Sequence, residues 1–197
     1  MLQRGHVTDL TAGKETEGDA AIGNKRFDAT ERTSRILSTF HFFLYCEEVE
    51  YNTLMKAFSV SKKTARRDIC LLERAGVLKA RFDQKKGAFV PDCLDLRPME
   101  PVENETQQKY LGKIRRICIL MAELDGLEEN DNPIALYRHL FPSERARTRQ
   151  RDFAELRKLG YVLAYSGAEL GEPGGWSVQI PPAFGLDTIP EDVNWWE

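Results

Sequence analysis

"SKKTARRDICLLERAGVL" runs from Ser61 to Leu78, and the chain writes a close copy of it, "RARTRQRDFAELRKLGYVL", from Arg145 to Leu163. A single offset of 84 relates Thr64 to Thr148, Arg67 to Arg151, Asp68 to Asp152, Ile69 to Phe153, Leu72 to Leu156 and Gly76 to Gly160. In the first copy Ser61 reads as the N-cap of a helix reaching about Ala75. Ala65, Ile69 and Leu72 fall at i, i+4 and i+7 and form its core stripe. Gly76 suits the left-handed residue that ends a helix. Lys63, Arg66, Arg67, Cys70 and Arg74 then share the opposite face, with Lys62 just beyond the cap.

Working outward, the same order of elements is predicted on both sides of a break. Asp28-x-x-Glu31 is a capping box ahead of a helix over about 29–46, apolar on more than one face through Ile36, Leu37, Phe40, Phe42, Phe43, Leu44 and Tyr45. Such a helix is either buried on two sides or offers a homodimer contact. A short helix over Tyr51 to Phe58, a turn at Ser59-Val60-Ser61 and the basic helix follow. A strand from Val77 to Phe82, a turn at 83–87 and a strand from Ala88 to Val90 complete a hairpin. The stretch "PDCLDLRPMEPVENE", 91–105, holds three prolines and five acids and reads as a solvated linker. Helices are expected again over Thr106 to Leu124, from the Asn132 cap and Pro133 to Phe141, and up to Leu159, with strands at Tyr161 to Tyr165 and Trp176 to Ile180. The fold class is therefore mainly α with small β-hairpins (α+β). It comprises a flexible tail 1–27, a first domain 28–91, a linker 92–105, a second domain 106–182 and an acidic tail 183–197.

The net charge of −3 argues against a uniformly basic surface, but the charge is segregated. From Ser59 to Lys86 nine cations face three anions, a local net of +6. Lys62, Lys63, Arg66 and Arg67 lie in the first turns of the helix, and Lys79, Arg81, Lys85 and Lys86 lie on the hairpin. Clustered cations neutralise phosphates and release counterions. Arginine also pairs with guanine O6 and N7 in the major groove. Asp68 and Asp152, present in both copies, are expected to pair with a neighbouring cation or cap a turn.

The string "VSKKTARRDICLLERAGVLKARFDQKKGAFV" resembles the winged helix-turn-helix of DeoR-type bacterial regulators and of the N-terminal module of WYL-domain regulators. Val60, Ser61, Thr64, Arg67, Asp68, Ile69, Leu72 and Gly76 carry the resemblance, which spans about residues 33–91. It implies that 61–75 is a recognition helix and that Lys85 and Lys86 sit in the wing. The effector domain usual in those families is not visible; a second winged helix stands in its place, and no small-molecule effector is evident. The resemblance thus implies a sequence-specific binder of double-stranded DNA, a transcriptional regulator, and the internal repeat makes it a chain of two tandem winged-helix domains. DNA-binding candidates are Ser61, Lys62, Lys63, Thr64, Arg66, Arg67, Arg74, Lys79, Arg81, Lys85 and Lys86.

The second copy departs from the first. Arg145 takes the place of Ser61, Arg149 that of Ala65 and Gln150 that of Arg66, while Glu169 and Glu172 make its wing acidic. Arg145, Arg147, Arg149 and Arg151 are further DNA-binding candidates, with protein contact as the alternative for this half. For the whole chain, binding at replication-origin repeats and a protein–protein interaction module are the alternative readings. No Gly-rich phosphate loop, Ser/His/Asp arrangement or defined carboxylate pair points to an enzyme or a cofactor. Cys46, Cys70, Cys93 and Cys118 lack metal-ligand spacing and read as reduced, mostly buried thiols of a cytoplasmic protein. No apolar run is long enough to span a membrane, and the N-terminus lacks a signal-peptide core.

Overall fold

The structure is a computed structural model and describes residues 32–93, 96–128, 131–166 and 174–181. Expectations that fall elsewhere lie outside the described residues. These are the Asp28–Glu31 capping box, the acids Glu169 and Glu172, and both tails.

The chain runs α1 (Arg32–Tyr45), β1 (Val49–Glu50), α2 (Tyr51–Phe58), α3 (Lys62–Arg74), β2 (Lys79–Asp83) and β3 (Ala88–Cys93). It continues with α4 (Glu105–Leu124), α5 (Pro133–Leu140), α6 (Ala146–Lys158), β4 (Val162–Ser166) and β5 (Gly175–Gln179). Three helices and a hairpin thus occur in each half, in the expected order. The first sheet has the antiparallel order β1-β3-β2, with Val49 opposite Phe89 and Phe82 opposite Phe89 on the other side. The second is the pair β4-β5. Sequence periodicity did not predict β1, because two residues carry no alternation to read. Its position is fixed by buried Val49 seated against β3. The predicted strand at Val77 begins instead at Lys79, since Val77 and Leu78 are fully buried in the core ahead of the sheet.

Ile36, Leu37, Phe40, Phe42 and Phe43 of α1 are all buried. The helix packs against both α3 and α4. Its several apolar faces are therefore covered within one chain, which removes the reason for a dimer contact there. On α4, Leu111, Ile114, Ile117, Cys118, Met121 and Leu124 form the buried side, as the spacing predicts. Side chains of both halves join in one continuous core. Each fully buried Leu, Ile or Phe contributes about 1.5–3 kcal/mol before entropy is charged against it.

The acidic stretch read as a linker has no regular structure over 96–104. It is docked all the same. Arg97 N–H donates to Gly76 O and Glu100 N–H to Arg74 O, each at 2.9 Å. Arg74 Nε reaches Glu100 Oε2 at 2.7 Å. From α4, Arg115 Nη1 donates to Ala75 O at 2.8 Å and Gly76 O at 3.1 Å. A helix leaves its last carbonyls without intrahelical donors, and here a strap and a guanidinium supply them.

Candidate nucleic-acid interface

The site is built on the turn between α2 and α3. Ser59 ends α2 in the left-handed region, φ 52°, with its N–H on Met55 O. Val60 N–H donates to the same carbonyl at 3.2 Å. Ser61 then caps α3, its Oγ accepting Thr64 N–H at 3.2 Å and lying 3.0 Å from Thr64 Oγ1. Ser61 and Thr64, both DNA-binding candidates, thus share a local role in starting the helix.

Ala65, Ile69 and Leu72 are buried as expected, and the cationic face of α3 is open. Lys62, Lys63, Arg66, Arg67 and Cys70 are exposed. Lys62 Nζ stands 4.7 Å above the Tyr51 ring, a cation–π contact that limits where this ammonium can go. Arg74 differs from the others. It is half-buried and bound by Glu100, so it belongs to the strap contact rather than to the open face.

Asp68 has the scaffold role expected of it. Only 2% exposed, it accepts from Arg35 Nε at 2.6 Å and Nη2 at 3.3 Å. Asp152 repeats the geometry, with Arg116 Nε at 2.6 Å and Nη2 at 3.2 Å, and adds the Tyr137 hydroxyl at 2.7 Å. In each half the Arg-Asp step therefore splits its work. The Asp ties the helix to an arginine of the half's first helix, while Arg67 or Arg151 stays in solvent.

On the first hairpin, Asp83 Oδ1 accepts the Lys85 and Lys86 N–H groups and shapes the turn. Lys79, Arg81 and Lys85 are exposed. Lys86 is exposed too but forms an ion pair with Glu48, and the hydrogen bond to that carboxylate, followed by its charge, raises the lysine's pKa. One cation of the wing is thus partly neutralised from within the chain. Sequence reasoning missed Glu48, Tyr51, Glu100 and Arg115 as neighbours of the basic face. All four reach it through tertiary pairing, and none carries a local pattern.

In the second half Arg145, Arg147 and Arg151 are exposed. Arg149 is half-buried, so the position that is core in α3 lies at the rim in α6. Arg145 has the same backbone as Ser61 (φ −76°, ψ 155° against −74°, 155°) but makes no side-chain cap bond. The described strands of the second hairpin contain no charged residue. Among the described residues no group of His, Cys, Asp and Glu could hold a metal ion, and no helix is long and apolar enough to cross a membrane. Cys118 is buried, Cys46 half-buried and Cys70 exposed.

Residues 46–81, from just before β1 into β2, match the DeoR-like helix-turn-helix domain. The match suggests a DNA-binding transcriptional regulator. It covers the first basic helix only, so neither a WYL-type architecture nor a second copy of the domain is part of it. No curated protein and no solved structure matches the chain.

Proposed function

We propose that the chain is a sequence-specific double-stranded DNA-binding protein, a bacterial transcriptional regulator that reads the major groove with α3. The observation that carries this is the open face of α3. Lys62, Lys63, Arg66 and Arg67 project from the first two turns of a capped helix, inside the segment that matches a helix-turn-helix. The helix is 13 residues long, about 20 Å, and its cations lie at the N-terminal end, where the backbone also favours phosphate. Arg66 and Arg67 are the base-reading candidates, and Lys62, Lys63, Arg81 and Lys85 the phosphate contacts. The role is binding rather than catalysis, and it places the protein with the chromosome in the cytoplasm.

The second half we read as a second winged helix. The repeated element order and the Asp152–Arg116 pair, which mirrors Asp68–Arg35, support that reading.

Duplex binding measured against salt is the test. Affinity should fall steeply as salt rises. Arg66→Ala or Arg67→Ala should cost about 1–3 kcal/mol on a selected site. Lys85→Ala should weaken all sequences alike. Unchanged binding after Lys62, Arg66 and Arg67 are all removed would overturn the assignment.

A further inference from the structure

We infer that α6 is a second DNA-contacting surface, so that one chain touches one duplex at two places. This rests on the reading of α3 as the first contact. The observation behind it is how the charges of 138–158 are arranged. Seven cations and three acids lie in this span. Each of the three acids is engaged by an arginine or lysine of α4. Glu144 meets Arg116 at 3.0 Å, and Asp152 meets Arg116 at 2.6 Å. Glu155 is bound by Lys113 at 2.8 Å and by Lys158 at 3.4 Å. Arg116 and Lys113 both belong to α4 and approach from the inner side.

The acids are thus drawn inward, Arg145, Arg147 and Arg151 are left outside, and Arg149 lies at the rim. Among the described residues Arg145, Arg147, Arg149 and Arg151 have no ion-pair partner. Arg145 and Arg149, and Arg147 and Arg151, stand four residues apart on one helix, where like charges repel. Among the described residues nothing offsets this repulsion; a polyanion laid across the helix removes it. Exposed Gln150 sits among these arginines. Arginine and glutamine are among the side chains that make paired hydrogen bonds to base edges. Duplex DNA fits this set better than an acidic protein does. Since the described strands of the second hairpin are uncharged, the contact falls on the helix alone, unlike the first half with its basic wing.

The test uses the full chain and a duplex selected from random DNA by the wild-type protein. Arg147→Ala/Arg151→Ala removes two exposed arginines that pair with no acid among the described residues, so its melting temperature should not fall below the wild type's. On the selected duplex the variant should show a shorter footprint. Its slope of log affinity against log salt should be smaller by about two, near 0.9 for each lost phosphate contact. On a duplex trimmed to the part protected by α3, variant and wild type should bind alike. An unchanged footprint and slope, with Arg66→Ala/Arg67→Ala still abolishing specific binding, overturns the role of α6 and leaves that of α3 standing. Failure of both double variants to alter binding overturns the α3 reading itself. Polyglutamate binding that depends on Arg147 and Arg151, with the DNA footprint unchanged, assigns the surface to an acidic protein and overturns the proposal.

Discussion

At the scale of single residues, the two repeated aspartates show how a motif can look like chemistry and act as framework. Asp68 and Asp152 are nearly inaccessible and face an arginine from another helix. Removing one partner of a buried pair costs more than the pair contributes, because a charge is left uncompensated. Asp68→Ala should lower stability by about 3 kcal/mol in urea unfolding. Asp152→Ala should cost a similar amount: Glu144 still faces Arg116, but the buried Tyr137 hydroxyl loses its acceptor. Neither change should alter the DNA affinity of the protein that stays folded. The glycines make a second contrast. Gly76 and Gly87 both have positive φ, 70° and 65°. A methyl at Gly87 meets open space, so Gly87→Ala carries only the left-handed strain of about 1 kcal/mol. At Gly76 the methyl collides with Arg97 O and comes within 2.6 Å of Arg115 Nη1. Gly76→Ala should therefore melt well below Gly87→Ala.

At the scale of elements, the helices begin alike in backbone and differently in chemistry. Ser61→Ala removes the bond to Thr64 N–H and should cost about 1 kcal/mol. Arg145→Ser supplies α6 with the cap it lacks, on a backbone already shaped for one, and should add about as much. Denaturant midpoints of the two variants check both statements. The contrast between helices and strands also explains what was readable in advance. Ser61, Asn132, Gly76 and the 3.6-residue stripes act locally, so α2, α3 and α5 were legible nearly to the residue. The two-residue β1 and the docking of 96–104 depend on partners far along the chain. So does the Glu48–Lys86 pair, which forms only once β1 lies on β3 and changes how much of the wing's charge faces outward. The open face of α3 was legible because burial of Ala65, Ile69 and Leu72 dictates it. The retirement of Arg74 was not, because Glu100 approaches from the strap.

At the scale of the whole molecule, the halves are joined by polar contacts as well as by the shared core. His41 on α1 lies between Tyr161 and Pro181. A carbonyl can only accept, so Nε2–H donates to Pro181 O at 3.0 Å, and Nδ1 accepts the Tyr161 hydroxyl at 2.9 Å. Burial drives the imidazole pKa down from 6.5 to about 4, against smaller opposing effects of the Pro181 carbonyl and Asp125. In acid the unfolded chain takes up this proton before the folded one does. The stability contributed here is complete above about pH 6.5 and drains away as pH falls toward 4. The melting temperature should decline across that window, and His41→Gln should flatten the decline.

The strap and Arg115 carry one more consequence. Gly76 at the end of α3 is held by Arg97, and the same carbonyl receives a guanidinium from α4, which in turn grips α6 through Lys113 and Arg116. The two basic helices are therefore linked through α4 by hydrogen bonds and ion pairs. With both helices on one duplex, the protein is a ruler. Insertion of about 5 base pairs, half a helical turn, between the two contacted segments carries the second to the far side of the DNA. Such a site should bind no better than its α3 half alone.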